Sequence, residues 1–287
     1  MKKICAITGG NGYVGGCVKD YLAARGWEIF ELVRRPKPGA RAFQFQLGDE
    51  LSAELLSGVD ALVHCAYDFT PLSWEEIVAV NVEGSKKVIK AAKDAGVSKV
   101  IFISSISAYD GCRSLYGKAK LEIEKFALAN GAMVVRPGLV YGGAGGGMFG
   151  KVSEKVRKSA IVPLIGSGTQ IQFLVHNEDL SAFIEKYAAG EVPLPSKILT
   201  AANEQPWQFK QLILEITRAQ GKTPTFIPLP WRLIWLVIKC AEICGFKLKF
   251  RSDSLVSLVY QNPKPDFSGN VQAGLVCRPF SAAMLTK

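Results

Sequence analysis

A tyrosine and a lysine four positions apart are the residues whose types and spacing suggest chemistry most directly. They lie in the segment Tyr116-Gly117-Lys118-Ala119-Lys120, and on a helix this spacing places both side chains on one face, although it also occurs by chance. A nearby ammonium lowers the pKa of a phenol from about 10 and makes it a usable proton donor or acceptor. Ser104 and Ser105 end the apolar run KVIFIS, where a hydroxyl can hydrogen-bond a substrate oxygen or simply end a strand. Together these residues predict proton transfer at a carbonyl or hydroxyl group.

Three glycines near the N-terminus are spaced for binding a dinucleotide. Gly9, Gly12 and Gly15 occur in the segment TGGNGYVG, between an apolar run and a helical pattern. The first glycine allows a tight turn, the second lets the backbone approach a pyrophosphate, and the third allows close helix–strand packing. The free amides at the start of the helix would then meet the phosphate charge. This setting predicts a dinucleotide site rather than a purely structural turn.

The end of the second apolar run indicates which dinucleotide binds. In NAD-binding folds a carboxylate about 20 residues beyond the glycines holds the ribose 2′-hydroxyl. Val33 stands there and Arg34 follows, and an arginine can pair with a 2′-phosphate in a forked geometry. We therefore expect NADP(H) as the preferred cofactor, with NAD possible, unless Arg34 is a solvated loop cation. Asp49 either accepts a hydrogen bond from the adenine amine or caps the next turn.

Strand-like and helix-like segments alternate through the first half of the chain and must position these residues. The predicted strands are Lys3–Thr8, Glu28–Val33, Ala61–Cys65, Lys99–Ser104 and Ala132–Arg136, and the predicted helices are Val14–Arg25, Trp74–Ala95 and Tyr116–Asn130. The strands are continuous apolar runs, which favours a parallel sheet covered on both faces, with ligands beyond its carboxyl ends. We expect an α/β fold with a Rossmann-type doubly wound parallel sheet. The dinucleotide-binding domain should span 1–165, with 173–200 returning to it, and a smaller C-terminal substrate-binding lobe should occupy most of 166–287.

Composition and charge narrow the class of protein. The 287 residues include 35 Lys and Arg against 25 Asp and Glu, a formal charge of +10, which suits anionic small molecules or solvated faces. The cations are dispersed, so we expect no nucleic-acid partner. Seven scattered cysteines and an N-terminus without a signal-peptide pattern favour a cytoplasmic protein.

One C-terminal helical pattern is unusually apolar. The segment 230–246 is interrupted by Arg232, Lys239 and Glu242 and is too short and too charged to span a membrane. A buried or half-buried helix is one interpretation, and docking on a membrane surface or on a lipid-like substrate is the other. Cys240 and Cys244 share one face of this helix, and with no second ligand pair nearby we expect core residues and no metal site.

The motifs taken together resemble those of a known enzyme family. They are TGGNGYVG at 8–15, HCA at 64–66, NVEGS at 81–85, SSISAY at 104–109, YGKAK at 116–120, RPGLVYGG at 136–143 and FLVHNEDL at 173–180. In type and order they are similar to those of the extended short-chain dehydrogenases/reductases, within the NAD-dependent epimerase/dehydratase group. The resemblance covers about the first 180 residues.

This resemblance implies a role for each matching residue. Tyr116 would be the general acid/base, Lys120 would bind the nicotinamide ribose, and Ser105, four residues before Tyr109, would polarise the reacting oxygen. The implied cofactor contacts are Gly9, Asn11, Gly12, Tyr13, Val14, Gly15, Ala66, Asn81, Lys120 and Pro137, in addition to Arg34 and Asp49. The family also implies a possible homodimer.

Departures from the family pattern reduce the number of candidate reactions. Ser105-Ile106-Ser107 stands where 4,6-dehydratases carry Thr-Asp-Glu, which disfavours dehydration, and Gln172 stands where many sugar-nucleotide enzymes carry arginine. The leading hypothesis is an NADP(H)-preferring oxidoreductase acting on a carbonyl or hydroxyl carbon, with a nucleotide-linked sugar as the leading substrate class. The alternatives are a nucleotide-sugar epimerase with tightly bound NAD, a sterol- or aldehyde-type ketoreductase, and a dinucleotide-sensing regulator without catalysis.

Overall fold

A seven-stranded sheet forms the centre of the molecule in the computed structural model, which describes residues 2–143, 147–159, 161–246, 248 and 250–282. The strands of the whole fold, both inside and outside this sheet, are β1 Ile4–Thr8, β2 Glu28–Val33, β3 Ala42–Gln44, β4 Ala61–His64, β5 Lys99–Ile103, β6 Met133–Pro137, β7 Leu139–Tyr141, β8 Ile161–Ile165, β9 Ile171–Gln172, β10 Leu174–His176, β11 Leu199–Ala201, β12 Trp207–Gln208 and β13 Thr225–Leu229. The central sheet has the order β11-β6-β5-β4-β1-β2-β3. Every pairing within it is parallel, which confirms the expected Rossmann-type α/β fold.

The helices connect these strands and cover the sheet. They are α1 Tyr13–Ala24, α2 Trp74–Ile77, α3 Glu83–Asp94, α4 Leu115–Ala129, α5 Gly147–Lys158, α6 Asn177–Ala189, α7 Phe209–Ala219, α8 Trp231–Ile243, α9 Ser252–Val259 and α10 Ser268–Ala273. The single helix predicted over Trp74–Ala95 is instead α2, a π-helical turn at Val78–Val82, and α3. Such turns are frequent at functional sites because they redirect one side chain.

The strands read as continuous apolar runs because both of their faces are buried. Successive residues of β4 belong to opposite cores, Leu62 to one and Val63 to the other. Helices α3 and α4 cover the first face through Ile89 and Ile123, and α1 and α6 cover the second face. This two-sided burial is the physical reason for the pattern seen in the sequence.

A third core lies outside the central sheet. It contains Tyr141, Phe149, Leu164, Ile213 and Phe280, contributed by β7, α5, β8, α7 and the tail. Short pairs β7–β10, β9–β12 and β8–β13 frame it. Helix α6 packs on α1, and β11 lies in the central sheet. The domain boundary at residue 165 stays a prediction.

The two cysteines of α8 are exposed, contrary to the prediction from the sequence. Cys240 and Cys244 are exposed, so the expectation that they are core residues is wrong. The buried side of α8 instead carries Trp231, Ile234 and Trp235 as half-buried side chains. No cluster of metal-ligating side chains occurs among the described residues. None of the helices in the described part of the chain is both long and apolar enough to cross a membrane.

Candidate functional site

A cavity of about 340 Å³ opens at the carboxyl ends of β5 and β6, where α4 begins. Ser105, Tyr116 and Pro137 line this cavity together. Half of the remaining lining residues are apolar or aromatic, namely Tyr67, Phe69, Pro71, Ile77, Ile106, Leu115, Leu139, Phe173 and Leu258, and most of the others are polar or charged, Asp68 and Asp253 among them. The fold therefore brings the predicted acid/base and the predicted serine to one cavity.

The start of helix α4 is held by two side chains from different parts of the chain. Ser114 caps the helix by accepting a hydrogen bond from the Gly117 amide at 3.1 Å. The carboxylate of Asp253 in α9 accepts from the Leu115 amide at 2.7 Å and from the Tyr116 amide at 3.0 Å. A carboxylate is favourable here because it satisfies free amides and faces the positive end of the helix dipole. Tyr116 is thus positioned by α9 as well as by its own helix.

Tyr116 lies under an aromatic cover. Its ring is 4.8 Å from that of Tyr67 and 5.6 Å from that of Phe69, measured between centroids. Burial raises the pKa of Tyr116 to about 12, and a hydrogen bond with the Ser105 side chain offsets part of this rise. The expectation that a cation lowers this pKa is wrong in this structure, because the loss of hydration outweighs other influences.

Lys120 is buried one helical turn beyond Tyr116. Its Nζ donates to the Ile103 carbonyl at 2.8 Å and lies 5.9 Å from the centre of the Tyr116 ring. It also lies 4.7 Å from the centre of the Phe102 ring, which attracts a cation. Burial lowers the pKa of Lys120 to about 8, and the nearby Cys65 and Glu124 side chains oppose this shift.

The two neighbouring serines have different surroundings. Ser104 is buried and donates to Glu124 at 2.5 Å. Glu124 in turn accepts from Arg136, with Nε at 2.8 Å and Nη2 at 2.5 Å. Ser104 therefore belongs to a buried ionic network, whereas Ser105 lines the cavity. This arrangement supports the choice of Ser105 for the role beside Tyr116.

Asn81 is fully buried in the π-helical turn. Its Nδ2 donates to the Asp68 carbonyl at 2.9 Å, and its Oδ1 accepts from the Asp68 amide at 2.7 Å. These two bonds hold the loop after β4 that carries Tyr67 and Phe69. In this structure Asn81 therefore fixes the loop whose Tyr67 and Phe69 rings cover Tyr116.

The glycine turn before α1 has the form that a pyrophosphate requires. Gly9 has φ +71°, and a Cβ on Gly15 would lie 2.4 Å from the Gly9 carbonyl oxygen. A Cβ on Gly12 would meet only that same oxygen, at 3.2 Å, and is otherwise in open space. Gly12 caps α1 without a side-chain hydrogen bond, and the first turn holds no acidic residue.

These features fit a dinucleotide. The amides of Tyr13, Val14 and Gly15 begin the helix and have no acceptor within it, so they can hold phosphate oxygens. Asn11 is exposed beside them, and the Tyr13 hydroxyl donates to the Gly142 carbonyl at 2.6 Å. The turn therefore offers donors and space where a phosphate would lie.

The other predicted cofactor residues lie along the same edge of the sheet. Arg34 is exposed directly after β2, while Val33 is buried. Asp49 is exposed and accepts from the Gln46 amide at 2.9 Å, so it caps a turn in this structure. The Ala66 amide donates to Thr8 Oγ1 at 3.2 Å, directly behind the glycine turn.

Each of the two histidines makes a hydrogen bond that supports the local structure. His64 is fully buried, with Nδ1 2.6 Å from Thr8 Oγ1, and burial lowers its pKa to about 3. His176 caps the N-terminus of α6, where its Nδ1 accepts from the Glu178 amide at 3.3 Å. Neither of them lines the cavity.

Several site residues carry no signal in the sequence. Asp253 lies 137 positions from Tyr116, and no local spacing links them. Arg251 lines the cavity from the same segment and binds the Phe69 carbonyl. Tyr67 and Phe69 follow the HCA motif directly, so their position after β4 was the one available signal.

Comparison with known proteins agrees with the motifs. The model of the NAD dependent epimerase/dehydratase family matches residues 5–192. The chain is 27% identical over 218 residues to a 3-beta-hydroxysteroid dehydrogenase of Mycolicibacterium neoaurum, covering 61% of this chain and 60% of that protein. It is 25% identical over 237 residues to a ceramide reductase of Caulobacter vibrioides, covering 79% of this chain and 74% of the reductase. The chain thus spans less than two thirds of the length of the steroid dehydrogenase.

Solved structures show the same fold. A UDP-glucose 4-epimerase of Thermotoga maritima with UDP-glucose has a TM-score of 0.65 and 20% identity, over 89% of this chain and 96% of that one. At this level of identity the likeness is one of fold. The family match covers more than half of the chain, and it confirms the expected enzyme type at the level of the family. The chain belongs to the NAD dependent epimerase/dehydratase family, within the extended short-chain dehydrogenases/reductases.

Proposed function

We propose that this protein transfers a hydride between a nicotinamide dinucleotide and the carbonyl or hydroxyl carbon of an uncharged, largely apolar substrate. The observation that carries the proposal is the cavity in which the Tyr116 and Ser105 side chains meet beneath apolar and aromatic walls. The names of the two curated relatives, a steroid dehydrogenase and a ceramide reductase, are consistent with such a substrate.

The charges around the cavity support an uncharged substrate. Arg251 is the one lysine or arginine among the described lining residues; it is ion-paired with Glu242 at 3.6 Å and donates to the Phe69 carbonyl. Two carboxylates, Asp68 and Asp253, belong to the same lining and would repel an anion. Gln172, at the family's arginine position, is buried and accepts a hydrogen bond from Gln261 at 3.2 Å. A diphosphate brought here would lack the paired cations that its charge requires.

A nucleotide-linked sugar, the leading hypothesis from the sequence, remains the second candidate. Polar side chains line one part of the cavity: Ser107, Ser254, Ser257, Gln172 and Gln261. The buried Gln172 Nε2 has no hydrogen-bond partner among the described residues, so it is free to donate to a substrate oxygen. Sugar hydroxyls would suit this polar part better than a sterol or an alkyl chain would.

The proposed cofactor is NADP(H), with NAD as the alternative. Bound to the glycine turn, the nicotinamide would supply or accept the hydride. The exposed Arg34 and the buried Val33 favour a 2′-phosphate over a 2′-hydroxyl, because no carboxylate ends β2. Tyr13, Val14 and Gly15 would hold the pyrophosphate, and Pro137 would lie beside the nicotinamide.

The protonation states favour reduction of a carbonyl. With a pKa of about 12, Tyr116 is protonated at neutral pH and can donate Oη–H to the substrate oxygen. Ser105 would hold the same oxygen by a hydrogen bond. The Lys120 ammonium, 5.9 Å from the centre of the Tyr116 ring, would stabilise the phenolate that remains. In the reverse direction the phenolate would take the proton from an alcohol.

Two substrate panels distinguish the candidates. NADPH and NADH oxidation would be followed with 3-ketosteroids and long-chain ketones in one panel and with UDP-linked keto-sugars in the other. Turnover of the apolar ketones alone supports the proposal. Turnover of the UDP-linked compounds alone supports the second candidate. A protein that leaves both panels unreduced and carries stoichiometric NAD after purification would instead be an epimerase.

Replacing Tyr116 by Phe is the variant that tests the chemistry. We expect Tyr116→Phe to lower kcat by about a hundredfold or more, because the substrate oxygen loses its proton donor, while dinucleotide affinity is unchanged. Tyr67→Phe is the matched control, since it removes a hydroxyl from the same cavity and should keep most activity. Equal activity in wild type and Tyr116→Phe would favour a dinucleotide-sensing regulator.

A further inference from the structure

One face of α8 is both apolar and exposed to solvent. It consists of Leu233, Leu236, Val237, Cys240, Ile243 and Cys244, which we call the α8 face. The exposed fractions are 60% for Leu233, 51% for Leu236, 69% for Val237 and 76% for Ile243. These positions recur at the three- and four-residue spacing of one helical face. Soluble surfaces rarely leave such a continuous apolar stripe uncovered unless something binds it.

The opposite side of α8 is already used for packing. Glu242 accepts from the Ser252 amide at 2.9 Å and from the Ser252 hydroxyl at 2.7 Å. The rings of Trp231 and Tyr260 are 5.7 Å apart in an edge-on arrangement. Helix α8 is therefore fixed against α9, and the α8 face cannot turn inward without breaking these contacts.

Cations border the α8 face. Arg232 is exposed next to it, and the side chain of Lys239 is 39% exposed. Glu242, the one acidic residue of 231–251, is buried, so no exposed carboxylate of this stretch offsets these two cations. A surface that pairs with this segment must be apolar at its centre and negatively charged around it.

We propose that the α8 face docks onto the surface of a membrane that contains anionic phospholipids. An amphipathic helix with lysine or arginine beside its apolar face lies in the headgroup layer and buries that face among the acyl chains. At 13 residues, α8 is too short to span the bilayer and suits this interfacial position.

A second copy of this chain fits the same surface less well. Two copies paired through the α8 face would bring their cationic borders together, and this segment offers no exposed carboxylate to neutralise them. Anionic lipid headgroups satisfy both requirements at once. The charge of the segment therefore favours the membrane over self-association.

Docking would also set the position of the cavity. Helix α9, against which α8 packs, supplies Asp253, Ser254, Ser257 and Leu258 to the cavity wall. The docked protein would hold that wall next to the bilayer, where an apolar substrate is concentrated. The docking surface itself does not depend on the identity of the substrate.

Vesicle co-sedimentation tests the proposal with the intact chain of 287 residues. Wild type should sediment with vesicles of phosphatidylglycerol and phosphatidylcholine and be retained less on pure phosphatidylcholine. Val237→Glu should lower the fraction bound to the anionic vesicles by about tenfold or more, because it places a carboxylate in the apolar face. The matched control is Val271→Glu in α10, whose side chain is 79% exposed and which should bind like wild type.

A second variant and a second measurement complete the test. Arg232→Gln combined with Lys239→Gln should weaken binding to the anionic vesicles while leaving the melting temperature unchanged. The proposal would be overturned if the wild type sedimented with neither kind of vesicle. It would also be overturned if Val237→Glu and Val271→Glu were retained equally on the anionic vesicles. Sedimentation velocity showing a dimer that Val237→Glu dissolves, without vesicle binding, would overturn it in favour of self-association. Reduction of a water-soluble ketone should be the same in Val237→Glu and wild type, so a failure here leaves the proposed oxidoreductase function untouched.

Discussion

Burial shifts the two ionisable side chains of the candidate site in opposite directions. It raises the pKa of Tyr116 to about 12 and lowers that of Lys120 to about 8, because in both cases the charged form loses hydration. At neutral pH the phenol is protonated and the amine is mostly charged. The pair is therefore set to donate a proton, with a cation nearby to stabilise the anion that results.

A buried histidine should make the protein sensitive to acid. His64 has a pKa lowered to about 3 from an ordinary 6.5, so below pH 6.5 the unfolded chain binds a proton that the folded chain does not. The stability that comes from the neutral ring is present above pH 6.5 and is lost as pH falls toward 3. We expect up to about 2 kcal/mol of unfolding free energy to be lost between pH 6.5 and 5, measured by urea unfolding.

His176 serves as the control for the effect of His64 on the pH dependence of unfolding. His176 also has a lowered pKa, but it is less deeply buried. His64→Gln should flatten most of the pH dependence between 6.5 and 5, and His176→Gln should keep most of it. The same slope in His64→Gln as in wild type would show that His64 is not the titrating group.

The sequence was informative about residues whose partners are close along the chain. Tyr116 and Lys120 lie within one helical turn, so their spacing alone predicted a common site. Spacing could not reveal that Ser104 donates to Glu124, 20 positions away, while Ser105 lines the cavity. It also could not give the direction of the Tyr116 pKa, which depends on the aromatic cover contributed by the loop after β4.

At the scale of elements, the start of α4 depends on α9. Asp253 accepts from the amides of Leu115 and Tyr116, which fixes the first turn of the helix that carries Tyr116. Asp253 lines the cavity, and both of these hydrogen bonds are to backbone amides at the start of α4. We infer that it is a positioning residue.

The variant Asp253→Asn separates positioning from binding. It removes the charge that faces the helix dipole and one of the two acceptor oxygens, and we expect a loss of about 1 kcal/mol in unfolding free energy. We expect kcat to fall by about tenfold, because a displaced Tyr116 meets the substrate oxygen less well, while the Kd for NADPH changes less than twofold. Asp266→Asn, which loses a similar bond to the Ser268 amide, should leave kcat unchanged. A change in Kd with constant kcat would contradict the assignment.

Elements with a strong local pattern were predicted closely, and those shaped by distant contacts were not. Strand β2 has the predicted bounds Glu28–Val33. The π-helical turn at Val78–Val82 interrupts a uniform helical pattern because Asn81 reaches back to Asp68. Helix α8 was predicted correctly as a helix, but its cysteine-bearing face is exposed, since apolarity alone does not say which partner covers it.

At the scale of the whole molecule, the central sheet follows from the sequence, whereas the pairing of the short strands outside it does not. Apolar strands that are buried on both faces are typical of a parallel sheet between two layers of helices. The pairs β7–β10, β9–β12 and β8–β13 join segments as far apart as Ile161 and Thr225, and no local signal specifies such pairing. The possible homodimer and the cytoplasmic location stay predictions.

A titration of the purified protein with NADPH and NADH, after any bound nucleotide has been released and identified, tests the central claim most directly. We expect no retained nucleotide, saturable NADPH binding tighter than that of NADH, and at least about tenfold weaker binding by Gly12→Ala. Gly12 has a backbone conformation that alanine also adopts, with φ −81° and ψ 168°. The added Cβ would lie 3.2 Å from the Gly9 carbonyl oxygen and would otherwise enter the open space proposed for the pyrophosphate. The melting temperature of Gly12→Ala should match that of wild type within a few degrees. Absence of binding by either nucleotide, or equal binding by wild type and a folded Gly12→Ala, would contradict the account.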